Sequence, residues 1–275
     1  MVKLLKIELL KIKSYPVFWI TFGLTVIIFV VVAIKGATLD FKFGFFSNNA
    51  DLDSSNYFKF PYVWGTFSWI AGWFSHLWAL LIIILLGNEF NFRMLRQQQV
   101  YGLSRKDLLV SKTLLIFGLP LIIFIGVVIF SISFGLKYSE SATFSMIFEK
   151  SFYSLTYYLQ SITYMTFAML IVFLVGSTGL SLIVYLGYLF FEAIFRFILK
   201  QADLGGLNFF LPLKSVSSLT PRPSAEIALS ENMQQQIQLN DNTLHFPILI
   251  TILIGLFYFG LFWFLSYLII KKKDL

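Results

Sequence analysis

The chain has 275 residues, of which 58% are hydrophobic, 19% aromatic and only 13% charged, with a net charge of +7 and no cysteine. Soluble domains carry about 25% charged residues, so this composition excludes a soluble globular protein and points to an all-α, polytopic membrane protein. The missing cysteines remove disulfides, thiolate chemistry and Cys-based metal sites. The basic charge follows the membrane boundaries and implies no nucleic-acid partner.

Residues 1–14 place Val2, Leu5, Leu9 and Ile12 on one stripe, with Lys3, Lys6 and Lys13 to one side. That pattern predicts an amphipathic helix on the membrane surface, its lysines near anionic headgroups. Leu4, Ile7 and Leu10 share the other faces with Glu8 and Lys11, so the segregation is moderate. The first apolar run continues to Ile34 without a clear small-residue cleavage site, and is expected to stay as a membrane helix rather than a signal peptide.

Six spans are expected, since about 20 apolar residues cross a bilayer. They cover residues 17–34, entered through Pro16, then 62–86, 113–136 with a kink at Pro120, 152–175, 180–199 and 246–270. Gly176-Ser-Thr-Gly179 is a tight turn that makes the fourth and fifth spans an antiparallel hairpin. The N-terminus, the 87–112 loop and the C-terminal tail together hold 12 basic and 4 acidic residues, against 9 basic and 10 acidic on the other side. The basic side is therefore expected to be cytoplasmic, with both termini inside.

The 275 residues read as one transmembrane domain. Its longest outer loop, residues 200–245, starts with the apolar patch Leu207-Asn-Phe-Phe-Leu-Pro212. A possible helix begins at Ser224, and a Gln-rich stretch covers 234–240. No internal repeat is visible, which weakens a secondary-transporter reading.

The densest internal charge lies in the loop GNEFNFRMLRQQQVYGLSRKDLLVSK, residues 87–112. Arg93 and Arg96 share a helix face, Tyr101-Gly102 breaks the helix, and Ser104 with Asp107 forms a capping-box pattern that opens the next one. On charge alone this is an ordinary positive-inside loop. The order Glu89, Arg93-Met-Leu-Arg96-Gln97, Gly102-Leu-Ser104-Arg105 and Lys112 resembles the coupling-helix region of ABC transporter permeases of the type-2 exporter class.

The resemblance implies that this loop sits in a cleft of a separate cytoplasmic P-loop ATPase, with Glu89, Arg93, Arg96, Gln97, Tyr101 and Arg105 as coupling residues. It also implies a second permease copy, the same chain or another, and short re-entrant or surface helices between the last two spans. The second and fifth spans would line the translocation path. On it the candidates are His76, Tyr188, Glu192 and Arg196. ATP and Mg belong to the partner, and no cofactor, metal or catalytic residue is expected in this chain. The implied setting is a bacterial inner membrane.

Three side-chain readings accompany this. Glu192, Arg196 and Lys200 recur at four-residue spacing, with Glu192 and Arg196 expected to pair. Glu89 is either a solvated interfacial carboxylate or a lock that pairs with an Arg of the loop, Arg93 being one turn away. Ser68, Gly72 and His76, with Ala71, Ser75 and Ala79 beside them, mark the second span as a close-packing face, and a lone buried His is more often hydrogen-bonded than a proton relay.

Enzyme signatures are missing: there is no G-x-x-x-x-G-K-[ST], no H-E-x-x-H and no G-x-S-x-G. The functional expectation is a permease subunit exporting a hydrophobic or amphipathic substrate. The alternatives are a stand-alone channel or secondary transporter, or a non-transporting membrane component coupled to an ATPase.

Overall fold

A computed structural model describes residues 8, 10–38, 57–139, 143–202, 204–223 and 248–272. Among them the chain is helical, in the order α1 (Pro16–Thr38), α2 (Val63–Asn91), α3 (Met94–Val100), α4 (Arg105–Tyr138), α5 (Phe144–Phe148), α6 (Phe152–Val175), α7 (Thr178–Gln201), a 3-10 turn (Gly205–Phe210), α8 (Pro212–Ser217) and α9 (Ile248–Lys272). Five helices, α2, α4, α6, α7 and α9, are long and apolar enough to cross a membrane, so this is a multi-pass membrane protein by length and composition. The first expected span falls on α1, whose described apolar stretch, Pro16–Val32, is shorter than those five. The helix expected from Ser224, the Gln-rich stretch and most of residues 1–9 lie outside the described residues.

Helices α2 and α6 form the centre and pack on each other most extensively; α4 and α9 flank α6, and α7 leans on α2. Both central helices are buried along most of their length, as helices surrounded by protein are. Lipid tails are as apolar as leucine, so association depends on close packing and hydrogen bonds rather than on water release. The close-packing face expected on the second span supplies both. Ala71 and Ala79 are fully buried, and the Ser75 hydroxyl meets the Ser161 hydroxyl of α6 at 2.8 Å. Along α6 the Ser154, Thr156, Thr163 and Thr166 hydroxyls donate back to carbonyls three or four residues earlier, which hides their polarity.

The predicted tight turn is present. Gly176 adopts φ 75° and ends α6, and the Ser177 side chain caps α7. Helix α4 continues through Pro120. In the turn where the proline removes a donor, the Tyr158 hydroxyl donates to the Phe117 carbonyl at 2.9 Å.

Segment 205–220 turns back against the bundle. Its last contact, Thr220 Oγ1 donating to Gln160 Oε1 at 2.6 Å, lies eight residues into α6, about 12 Å at 1.5 Å per residue. Short helices between the last two long ones are thus present, with Phe209 and Phe210 in the 3-10 turn and Pro212 opening α8.

Candidate functional site

The loop of interest is a short helix mounted between two long ones. Helix α2 runs on to Asn91, past the end of its apolar stretch. Arg93 then turns the chain in the left-handed region at φ 53°, a conformation that costs a non-glycine residue about 1–2 kcal/mol. The break predicted at Tyr101-Gly102 is a Schellman turn: Gly102 sits at φ 92°, its N–H reaches the Gln99 carbonyl, and the Leu103 N–H reaches that of Gln98. The predicted capping box is present as well. Ser104 Oγ accepts from the Asp107 N–H at 3.2 Å, and Asp107 Oδ2 accepts from the Ser104 N–H at 3.1 Å.

Within α3, Leu95 is buried and acts as the anchor. Arg93, Arg96, Gln97 and Tyr101 all face outward. Phe92 is 65% exposed, Val100 81% and Tyr101 87%, so the outward face combines basic with large apolar side chains. Arg105 is half-buried, and its Nη1 donates to the Lys271 carbonyl at 2.5 Å, tying the start of α4 to the end of α9.

Glu89 does not pair with Arg93. Its Oε1 instead accepts from Lys112 at 2.5 Å and Lys11 at 3.0 Å. Arg93 has turned away beyond the end of α2, while Lys112, on the second turn of α4, reaches straight across. Lys112 also contacts Glu8 Oε1 at 2.6 Å, and Lys11 lies 3.6 Å from the same atom. Ser111 Oγ completes the group with a 3.4 Å bond to Glu8 Oε1. Two carboxylates and two ammoniums thus join the N-terminal helical residues, the end of α2 and the start of α4.

Lys112 is 1% exposed and both glutamates are 5% exposed, so each charge depends on its partners; leaving one unpaired there costs several kcal/mol. Burial lowers the Lys11 ammonium, but the Glu89 and Glu8 carboxylates outweigh it and hold Lys11 above the ordinary 10.5. The N-terminal periodicity places Glu8 and Lys11 on the mixed faces of the helix and does not reveal this network. The signal was Lys112 itself, a cation set among Leu108, Leu109, Leu114 and Leu115.

The path candidates gather toward the opposite end of the bundle. His76, half-buried on α2, stacks on Tyr164 with ring centroids 4.4 Å apart, and its Nδ1 lies 2.9 Å from the Tyr185 hydroxyl. Tyr188 packs against Phe167 at 5.0 Å. Glu192 is 1% exposed, and the expected ion pair with Arg196 is not formed. Its two oxygens accept the Leu213 N–H at 3.1 Å and the Lys214 N–H at 2.7 Å, in the first turn of α8. Backbone donors already fixed in a helix turn need no side-chain ordering, which the long arginine would. Arg196 Nε instead lies 3.4 Å from the Glu192 carbonyl.

Tyr164, whose hydroxyl donates to the Leu213 carbonyl at 3.1 Å, and Gln160, which bridges Thr220 and the Gly72 carbonyl, complete this polar row. Neither was singled out from sequence, because single polar residues on an apolar helix give no periodic signal. Among the described residues no group of three or more His, Asp or Glu side chains converges as a metal site. In comparisons with known proteins, no family model and no curated protein matches this chain.

Proposed function

We propose that the chain is the transmembrane permease subunit of an ATP-driven exporter of the ABC type. A separate cytoplasmic P-loop ATPase, carrying ATP and Mg, would dock on α3, and a second permease copy would complete the pathway. The observation that carries this reading is the outward face of α3. Arg96 and Val100 on this seven-residue helix, and Phe92, Arg93 and Tyr101 at its two ends, all stand exposed, while Leu95 anchors the helix and Glu89 with Lys112 roots it in both flanking helices. Large apolar side chains with arginine are the composition of an interface centre rather than of a solvated loop.

Two further features support it. Contacts bring the N-terminal helical residues, the 87–112 segment, the 176–178 turn and the end of α9 to one end of the bundle. These include the basic segments that the positive-inside rule assigns to the cytoplasm. The outer flank of α7 carries the exposed Phe190, Phe191, Ile194 and Phe197, which suits lipid or a second copy. The aromatic, weakly charged helices fit a hydrophobic or amphipathic cargo, and the setting we infer is a bacterial inner membrane.

The test is charge reversal, Arg93→Glu with Arg96→Glu, in membranes of the native host, read against the P-loop ATPase expected to co-purify with the unsubstituted chain. Lost co-purification and lost transport-linked ATPase activity, with unchanged gel-filtration behaviour, are expected. Unchanged association and activity would overturn the docking role.

One observation favours a second reading, a transporter acting alone. The row from Gln160 and His76 to Glu192 lies within a single copy of the chain. A chain reconstituted without any ATPase that moves cargo down an ion gradient would establish that alternative.

A further inference from the structure

Helix α5 lies between α4 and α6, at the end of the bundle where α2 begins. It has five residues and buries none of them, so its own side-chain packing does not hold it. Its backbone is held instead: the Trp64 indole N–H, in the first turn of α2, donates to the Ile147 carbonyl at 2.6 Å. Just beyond it, the Lys150 ammonium stands 4.4 Å over the Tyr62 ring. Ile147 is half-buried against the bundle. At 3.6 residues per turn, Ser145 and Glu149 fall on the side opposite Ile147, and both are exposed. Phe144 and Phe148 share the flank between, their ring centroids 5.0 Å apart, and are 77% and 51% exposed.

The level of this flank in the bilayer follows from α2. That helix has 29 residues, about 43 Å at 1.5 Å per residue. The hydrocarbon core is about 30 Å thick, and about 40–45 Å with its headgroup regions. A crossing helix of this length ends within the headgroup region on each side, so Trp64 and the α5 backbone stand where acyl chains give way to phosphates. The side chains around them are those of that layer: Tyr62 under Lys150, and Tyr138 under Lys137 at 5.2 Å. Exposed Leu136, in the last turn of α4, and exposed Leu155, in the first turn of α6, bring the apolar surface of the crossing helices up to α5 from both sides in the chain. A soluble partner would meet α5 only across that lipid-facing surface.

We propose that α5 is an interfacial anchor seated in a phospholipid leaflet, with Phe144 and Phe148 in the glycerol-ester and upper acyl layer and Ser145 and Glu149 toward water. Aromatic side chains partition to this layer, and an amphipathic helix lies in its plane with the apolar flank sunk. The anchor sets the depth of the end of α4 and the start of α6 at the face away from the 87–112 segment. It needs neither an ATPase nor a cargo, and is tested on the isolated chain.

The experiment uses the full chain in phosphatidylglycerol–phosphatidylethanolamine nanodiscs. The chain has no cysteine, so Phe144→Cys, Ser145→Cys, Phe148→Cys and Glu149→Cys each carry a single nitroxide, on side chains whose loss removes no buried contact. Collisions are measured by spin-resonance saturation with oxygen, which concentrates in lipid, and with a water-soluble nickel chelate. The oxygen-to-nickel ratio should be several-fold higher at 144 and 148 than at 145 and 149, and should approach that of Leu155→Cys on α6. A ratio equal at all four positions would overturn the proposal, whether it is low, with α5 in water, or high, with α5 sunk on every side. Labels at 144 and 148 shielded from both reagents would overturn it too, since protein, from a second copy or from elsewhere in this chain, would then cover the flank.

Discussion

Lys112 and Glu89 meet at 2.5 Å, the lysine 1% and the glutamate 5% exposed. They are separated by 23 positions of chain, most of which form the excursion that reaches α3 and returns. The pair closes the base of that excursion, and Glu8 and Lys11 extend the closure to the N-terminal helical residues.

Removing the shared cation should therefore be severe. Lys112→Met leaves two carboxylates facing each other in a buried site, and breaking a buried pair from one side costs about 3–5 kcal/mol. Thermal melting of the purified chain in detergent should fall markedly. Combining Lys112→Met with Glu8→Gln should recover part of the loss, because the one carboxylate left, Glu89, keeps its 3.0 Å pair with Lys11.

Lys11 makes stability depend on pH in one direction. Its value is raised in the folded chain, so its contribution is complete below the unfolded value, about 10.4, and is lost as pH rises through the folded one. The melting difference between wild type and Lys11→Met should be constant from pH 7 to about 10 and shrink above that. A difference that instead shrinks on going from pH 10 down to 7 would contradict the assignment.

Gly87 marks a close approach of two helices. A Cβ there would lie 2.6 Å from Thr178 Oγ1 and 2.7 Å from the Thr178 Cα, so the backbone of α7 must shift. Gly87→Ala should cost about 1–3 kcal/mol as overpacking. It should also loosen the bonds Thr178 makes with Asn88 and Asn91 at 3.0 and 2.9 Å. Hydrogen exchange at residues 176–181 would report the change.

Glu192 holds α8 in place. Glu192→Ala removes two charge-assisted bonds, each worth about 1.5–3 kcal/mol, and should raise hydrogen exchange at residues 213–217 many-fold. Arg196→Ala should change it little. Equal effects of the two substitutions would restore the side-chain ion pair expected from their spacing.

The parts of the fold legible in the sequence were those set by local rules. Gly102, Ser104 with Asp107, and the Gly176-Ser177 turn all act within a few residues, and each formed as its pattern implied. The Ala71, Ser75 and Ala79 stripe announced a close contact in the same way. Ion pairing was not legible, because spacing ranks only partners on the same helix. It offered Arg93 to Glu89 and Arg196 to Glu192, whereas the observed partners come from elements up to 104 positions apart in the chain. Burial was the better guide: a lysine among leucines, or a glutamate on an apolar helix, must find a partner somewhere, even when the sequence does not name it.

Arg105 holding the Lys271 carbonyl carries a mechanical consequence. The 87–112 excursion is fastened at both roots and to the final helix, so a subunit docked on it as proposed would meet a handle rather than a hinge. With these contacts in place, a push on Arg96 from such a subunit would travel as a tilt shared by α2, α4 and the tip of α9. A distance reporter fused after Lys272 would then move with the segment whenever the proposed partner displaces it.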